Sequence, residues 1–168
     1  QKVKKLNLPL MSLINKSRAQ TAFTVSIESK KGISTGISAH DRAKTIKVAI
    51  RPSSSKKNIV SPGHVFPLVA KAGGVLVRAG HTEASVDISK LAKLNPSAVI
   101  CEVMNEDGTM ARYKDLLPFA KKHKLKIARI EDLISHRLKT ERLIKGISHK
   151  KINIKRFGNF ELKTFRSK

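Results

Sequence analysis

Cysteine is nearly missing from this chain: Cys101 stands alone, so no internal disulfide can form and a reducing compartment is expected. Tryptophan is absent and aromatics make up only 4% of residues, which leaves few faces on which nucleic-acid bases could stack. No apolar run approaches the roughly 18 residues of a membrane-spanning helix. No secretory leader is visible either, so a soluble, cytoplasmic protein with no membrane partner is expected. Acidic side chains are scarce, 12 against 35 Lys and Arg, for a formal net charge of +23.

That charge raises a competing reading, a basic non-catalytic module that binds nucleic acid or another polyanion. The distribution argues against it. Residues 141–168 carry nine basic and two acidic side chains, residues 1–20 a net +5, and the rest of the excess is spread between them. A nucleic-acid binder concentrates its basic groups and interleaves aromatics. No helix-turn-helix, zinc-finger or RNA-binding signature occurs, so no specific nucleic-acid partner is expected.

What is present is a globular composition: 168 residues, 40% hydrophobic and 28% charged, enough for one ordinary domain with a real core. From Thr21 to Glu28 the chain alternates, with Phe23, Val25 and Ile27 against Thr24, Ser26 and Glu28, which predicts a half-buried strand. A helix is predicted from Ser38 to Pro52, then a polar loop from Arg51 to Pro62 long enough to act as a lid. Short apolar runs at 65–69, 75–77, 98–104 and 126–130 read as strands, the third burying Cys101. Helices are expected over 82–94 with Ala84, Ile88 and Leu91 inward, over 115–123 with Pro118 in its first turn, and from Glu131. Asn105–Gly108 reads as a hairpin turn in preference to a metal loop. The fold class is therefore α+β, a layered single domain with a mixed sheet and helices packed around it.

Three polar clusters stand at the ends of apolar runs. The first is Arg78-Ala79-Gly80-His81-Thr82, where a helix begins. Free N–H groups and the positive dipole end favour an anion there, Arg78 adds a fork suited to phosphate, and His81 adds an imidazole suited to a metal or a proton. A small phosphorylated molecule is the natural guest, although a plain N-cap at Thr82 would read the same way. The second is Gly63-His64. The third is Glu102, a carboxylate in an apolar run, costly unless it is paired, used or turned to solvent. Together they could hold a sugar phosphate and a divalent cation and move protons on carbon.

Five strings then resemble one family. They are Thr21-Ala-Phe-Thr-Val-Ser-Ile-Glu28, Gly36-Ile-Ser-Ala-His-Asp-Arg42, Pro62-Gly-His-Val-Phe-Pro-Leu68, Arg78-Ala-Gly-His-Thr-Glu-Ala-Ser85, and Cys101-Glu-Val-Met-Asn-Glu-Asp-Gly-Thr-Met-Ala-Arg112. In this order they resemble 3,4-dihydroxy-2-butanone 4-phosphate synthase of riboflavin biosynthesis, a lyase releasing formate from ribulose 5-phosphate. The resemblance implies His64 and Glu102 as catalytic residues. It also implies substrate binding by Arg78, Ala79, Gly80, His81, Thr82 and Glu102, with His81 as ligand to Mg2+ or Mn2+, and a homodimer. It places the synthase domain at residues 1–145, and 146–168 as a linker whose Arg156–Leu162 segment resembles the opening of a GTP cyclohydrolase II domain. The family's acidic N-terminal loop has no counterpart here, so the sequence is expected to be part of a longer molecule. Ser61 and Lys44 also stand where the family usually has arginine and threonine.

Overall fold

A computed structural model describes residues 2–12, 14–17 and 19–167. Two compact units are present, Gln1–Leu125 and Lys126–Lys168. None of the described helices is long and apolar enough to cross a membrane.

The first unit is built on the extended segment around residues 22–29. β1 (Ile27–Ser29) pairs antiparallel with β2 (Ile59–Val65), while Phe23 bridges Leu68 and Thr24 bridges Leu10. The segment is thus flanked on both sides, which explains why Thr24 and Ile27 are fully buried. The alternation read from sequence slips between them: Phe23 turns outward at 43% exposure while Thr24 lies inside. The Thr24 hydroxyl is satisfied there, donating to the Pro67 carbonyl oxygen at 3.1 Å.

α2 (Ala39–Ile50) packs on both strands. Its start follows from sequence chemistry, because the Ser38 side chain accepts the Asp41 N–H at 3.0 Å. The buried Thr45 hydroxyl accepts the Ser29 N–H at 3.0 Å and ties helix to strand. Leu6, Ile27, Val48 and Ile59 form the core, with Leu8, Ala49 and Val65 against it. Burying a side chain such as Ile27 contributes about 2 to 3 kcal/mol. The short helix α1 (Lys2–Lys5) carries Leu6 into this core, and its Lys2 and Lys5 ammonium groups donate to the carbonyl oxygens of Arg51 and Pro52.

The α+β class holds, but the sheet is smaller than expected: the described residues form two separate two-stranded antiparallel sheets. Val75–Val77 is not a strand. Gly73 and Gly74 take φ of +92° and +65°, so the chain turns there and Gly74–Leu76 closes as a 3-10 helix. Residues 98–103 join no ladder, leaving Val99 at 70% and Met104 at 65% exposure and Cys101 exposed rather than buried. The expected lid is shorter too, since Lys56–Asn58 is a 3-10 turn and β2 begins at Ile59.

α3 (His81–Leu91) and α4 (Tyr113–Lys122) close the unit. Ala84 faces inward in α3 as expected, but its buried companions are Thr82, Glu83 and Asp87, while Ile88 and Leu91 are 50% and 43% exposed. α4 starts two residues earlier than predicted, so Pro118 sits in its second turn. The hairpin at Asn105–Gly108 forms, bridged by Met104 and Met110, with the Asp107 carboxylate accepting the Thr109 N–H at 2.9 Å. In the second unit, α5 (Ile130–Thr140) begins with Glu131 and Asp132 as expected. No strand forms at 126–129, and β3 (Ile144–Ile154) pairs antiparallel with β4 (Gly158–Ser167).

Candidate active site

His64 is delivered by a break in a ladder. Ile27 pairs with Val65 and the next residue, Glu28, with Val60, so Ser61-Pro62-Gly63-His64 bulges out of β2 opposite nothing. Bulges of this kind re-aim side chains. Gly63 is required by the close approach: a Cβ there would lie 2.3 Å from both the carbonyl carbon and oxygen of Ile27. The Ser26 hydroxyl accepts the Gly63 N–H at 3.1 Å, and Ser61 Oγ donates to the Ser26 carbonyl at 2.7 Å. His64 Nδ1 then meets the Glu28 carboxylate, with 44% of the imidazole and 16% of the carboxylate side chain exposed.

The second cluster is the start of α3. Gly80 is the N-cap, with extended backbone and no capping side chain, so Thr82 is not the cap that the sequence allowed. The first-turn N–H groups of His81, Thr82 and Glu83 lack intrahelical partners, the arrangement that favours an anion. His81 and Ala79 are exposed, Gly80 half-buried and Thr82 buried. Arg78 is committed: Nη1 donates to Glu83 Oε2 at 2.5 Å and Nη2 to the Ala19 carbonyl at 2.8 Å. Gly80 lies close under the Arg78–Glu83 pair: a Cβ would fall 2.5 Å from Arg78 Nη1 and 2.8 Å from Glu83 Oε2, and these side-chain ends would have to shift to admit it.

Glu102 is exposed, carried by the irregular segment that leads into the hairpin. Among the described residues no hydrogen bond or ion pair joins His64, the α3 start and Glu102 to one another. Clefts of about 450 and 390 Å³, lined respectively by Arg142–Gly146 residues and by Lys4 to Pro9, contain none of them. What the structure brings together is Arg78 through Thr82 at one helix end, and His64 with Glu28.

Four carboxylates position these groups, and sequence reasoning gave none of them that task. Glu28 backs His64. Glu83 accepts from Arg78 and from the Lys71 N–H at 2.9 Å. Asp87 accepts the Val75 N–H at 2.8 Å, fixing the turn that leads into Arg78. Asp41 accepts from the Ser34 hydroxyl at 2.8 Å and the Gly36 N–H at 3.0 Å. The Ser34 hydroxyl bond leads the effects that hold the Asp41 carboxyl below its usual 3.8, outweighing burial, which pushes it up. The available signal was the spacing Glu83–Asp87, four apart on one helix face and therefore both able to turn inward.

The α+β scaffold presents an anion-favouring helix start beside arginine and, on another element, a carboxylate-backed imidazole. The chain belongs to the 3,4-dihydroxy-2-butanone 4-phosphate synthase family, whose description it matches over residues 1–136. It is 52% identical over 163 residues to a 3,4-dihydroxy-2-butanone 4-phosphate synthase of Photobacterium phosphoreum, covering 97% of this chain and 45% of the relative. Its fold is similar to that of RibBX, a two-domain 3,4-dihydroxy-2-butanone 4-phosphate synthase from A. baumannii. The TM-score is 0.86 at 46% identity, over 99% of this chain and 48% of that one. It is also similar to a 3,4-dihydroxy-2-butanone 4-phosphate synthase solved with two magnesium ions, with TM-score 0.75, 37% identity and coverage of 83% and 70%. The chain thus spans about half the length of several relatives it matches.

Proposed function

We propose that this chain contributes the active-site core of a lyase that converts D-ribulose 5-phosphate to 3,4-dihydroxy-2-butanone 4-phosphate and formate in riboflavin biosynthesis, as a cytoplasmic homodimer. The observation that carries the reading is the α3 start: Arg78, Gly80, His81 and Thr82 gather at a helix end whose N–H groups suit a phosphate. Family membership supplies the substrate class.

In this reading the phosphate sits against the Ala79-Gly80 backbone and the first turn of α3, with Arg78 and Thr82 around it. His64 works through Nε2, the ring nitrogen away from Glu28, taking a proton from the carbon beside the substrate carbonyl so that an enediolate forms. The carbon skeleton then shifts, water adds to the carbonyl carbon that departs as formate, and Glu102, the second acid–base group, returns a proton to the carbon from which the C–C bond breaks.

The magnesium bound by the relative prompts a metal reading for this chain, with His81 as ligand to magnesium or manganese. The described residues do not complete such a site: none of them form a group of three His, Cys, Asp or Glu side chains able to hold a cation. One imidazole is a poor match for a hard divalent ion that prefers oxygen ligands, so no step is routed through a metal.

The test is formate release from ribulose 5-phosphate by the full-length protein with magnesium supplied. His64→Ala is expected to lower kcat by about 100-fold or more, with folding intact by circular dichroism. A folded His64→Ala variant of undiminished kcat would remove His64 from the chemistry. Absence of formate, together with salt-resistant binding to nucleic acid, would favour the polyanion-binding module instead.

A further inference from the structure

We propose that Glu28 is the positioning residue for His64, fixing its tautomer as Nδ1–H and holding the ring so that Nε2 is the free proton acceptor. This rests on reading His64 as the acid–base group of the site.

The two side chains come from opposite strands of the β1–β2 pair, and their meeting is built rather than incidental. The four-residue bulge in β2 turns His64 back across the ladder toward Glu28. The carboxylate is enclosed from two sides by backbone that carries no side chain. A Cβ at Gly36 would lie 1.8 Å from Glu28 Oε1, and one at Gly63 would lie 2.4 Å from Glu28 Cγ. Gly36 has φ of +84°, and its N–H is bound by the Asp41 carboxylate, so the loop pressing on Glu28 is itself pinned. With 16% of its side chain exposed, Glu28 lies inward of the 44% exposed imidazole.

The chemical consequence follows from donor counting. An ionised carboxylate only accepts hydrogen bonds, so the nitrogen facing it must carry the proton, and the lone pair is left on Nε2. An incidental surface ion pair would contribute little, whereas this carboxylate is mostly buried and faces a ring re-aimed by the bulge.

The experiment is 15N NMR of the labelled full-length protein at a pH where His64 is neutral, alongside steady-state formate release. Wild-type His64 is expected as the Nδ1–H tautomer. In Glu28→Gln, whose amide can donate as well as accept, a mixture with Nε2–H is expected, with kcat lowered about 10- to 100-fold and KM within about twofold. Glu28→Asp, which withdraws the carboxylate by one methylene, is expected to give an intermediate result and guards against misfolding of the first variant. A wild-type Nε2–H tautomer, or one unchanged in both variants, would overturn the proposal. Failure of wild type to release formate would instead strike the activity reading, because the tautomer signal is read without turnover.

Discussion

Removing the Arg78 guanidinium should cost stability before it costs anything at a phosphate. Glu83 is fully buried, and its carboxylate accepts from two donors, the Lys71 N–H at 2.9 Å and Arg78 Nη1 at 2.5 Å. Truncating one partner of a buried ion pair costs about 3 to 5 kcal/mol, because a charge is left without compensation. Here the Lys71 N–H remains, and the Arg78 side chain is 24% exposed, so the pair is partly screened. Arg78→Ala is therefore expected to destabilise by about 2 to 3 kcal/mol. With Glu83→Gln in the background no charge is stranded, and the same truncation should cost only about 1 kcal/mol. The coupling of about 1 to 2 kcal/mol is measured by urea denaturation of the four proteins of the cycle, followed by far-UV circular dichroism. Arg78→Ala within about 0.5 kcal/mol of wild type, or additivity within that margin, would refute the assignment of Arg78 as the partner of a buried charge. Confirmation would mean that lost activity in Arg78→Ala must be corrected for a displaced α3 start before any of it is ascribed to substrate.

The remaining expectations concern the supports of the site. Asp41, held below 3.8 in the folded state chiefly by the Ser34 hydroxyl, contributes stability above its unfolded value, and this is lost as pH falls through the lowered folded value. Urea midpoints should therefore fall more steeply below about pH 4 in wild type than in Asp41→Asn; parallel curves would count against the network. Gly63→Ala, whose Cβ would meet the Ile27 carbonyl at 2.3 Å, should cost about 2 kcal/mol or more. Gly108→Ala is the control: nothing lies within 4 Å, its φ is +84°, and the backbone penalty alone should be about 1 to 2 kcal/mol. Equal losses in a two-variant melting comparison would sink the close-approach argument.

Local signals carried far in this chain, and long-range pairing did not. The Ser38–Asp41 start of α2, the acidic start of α5 and the Asn105–Gly108 hairpin were all legible because their causes lie within a few residues. The runs at 75–77, 98–104 and 126–130 were read as strands from apolar content alone. A strand needs a neighbour, and none of these has a ladder among the described residues. Of the candidate site, the Arg78–Thr82 cluster was visible because its members are adjacent. The Glu28–His64 couple joins residues 36 apart through a bulge, which no periodicity announces.

The few acids have local tasks. Of only 12 carboxylates, Asp41, Glu83 and Asp87 are buried and accept backbone N–H groups of the loops at 34–36, 71 and 75, while Glu28 is spent on His64. Asp107 and Asp115 likewise cap local turns, through the N–H groups of Thr109 and Arg112. With 35 Lys and Arg against these 12 acids, the chain carries a net +23 and so an unbalanced positive field. Such a field draws in any small anion without specifying a sequence of bases. Attraction of that kind is general to small anions and does not by itself point to a nucleic-acid interface.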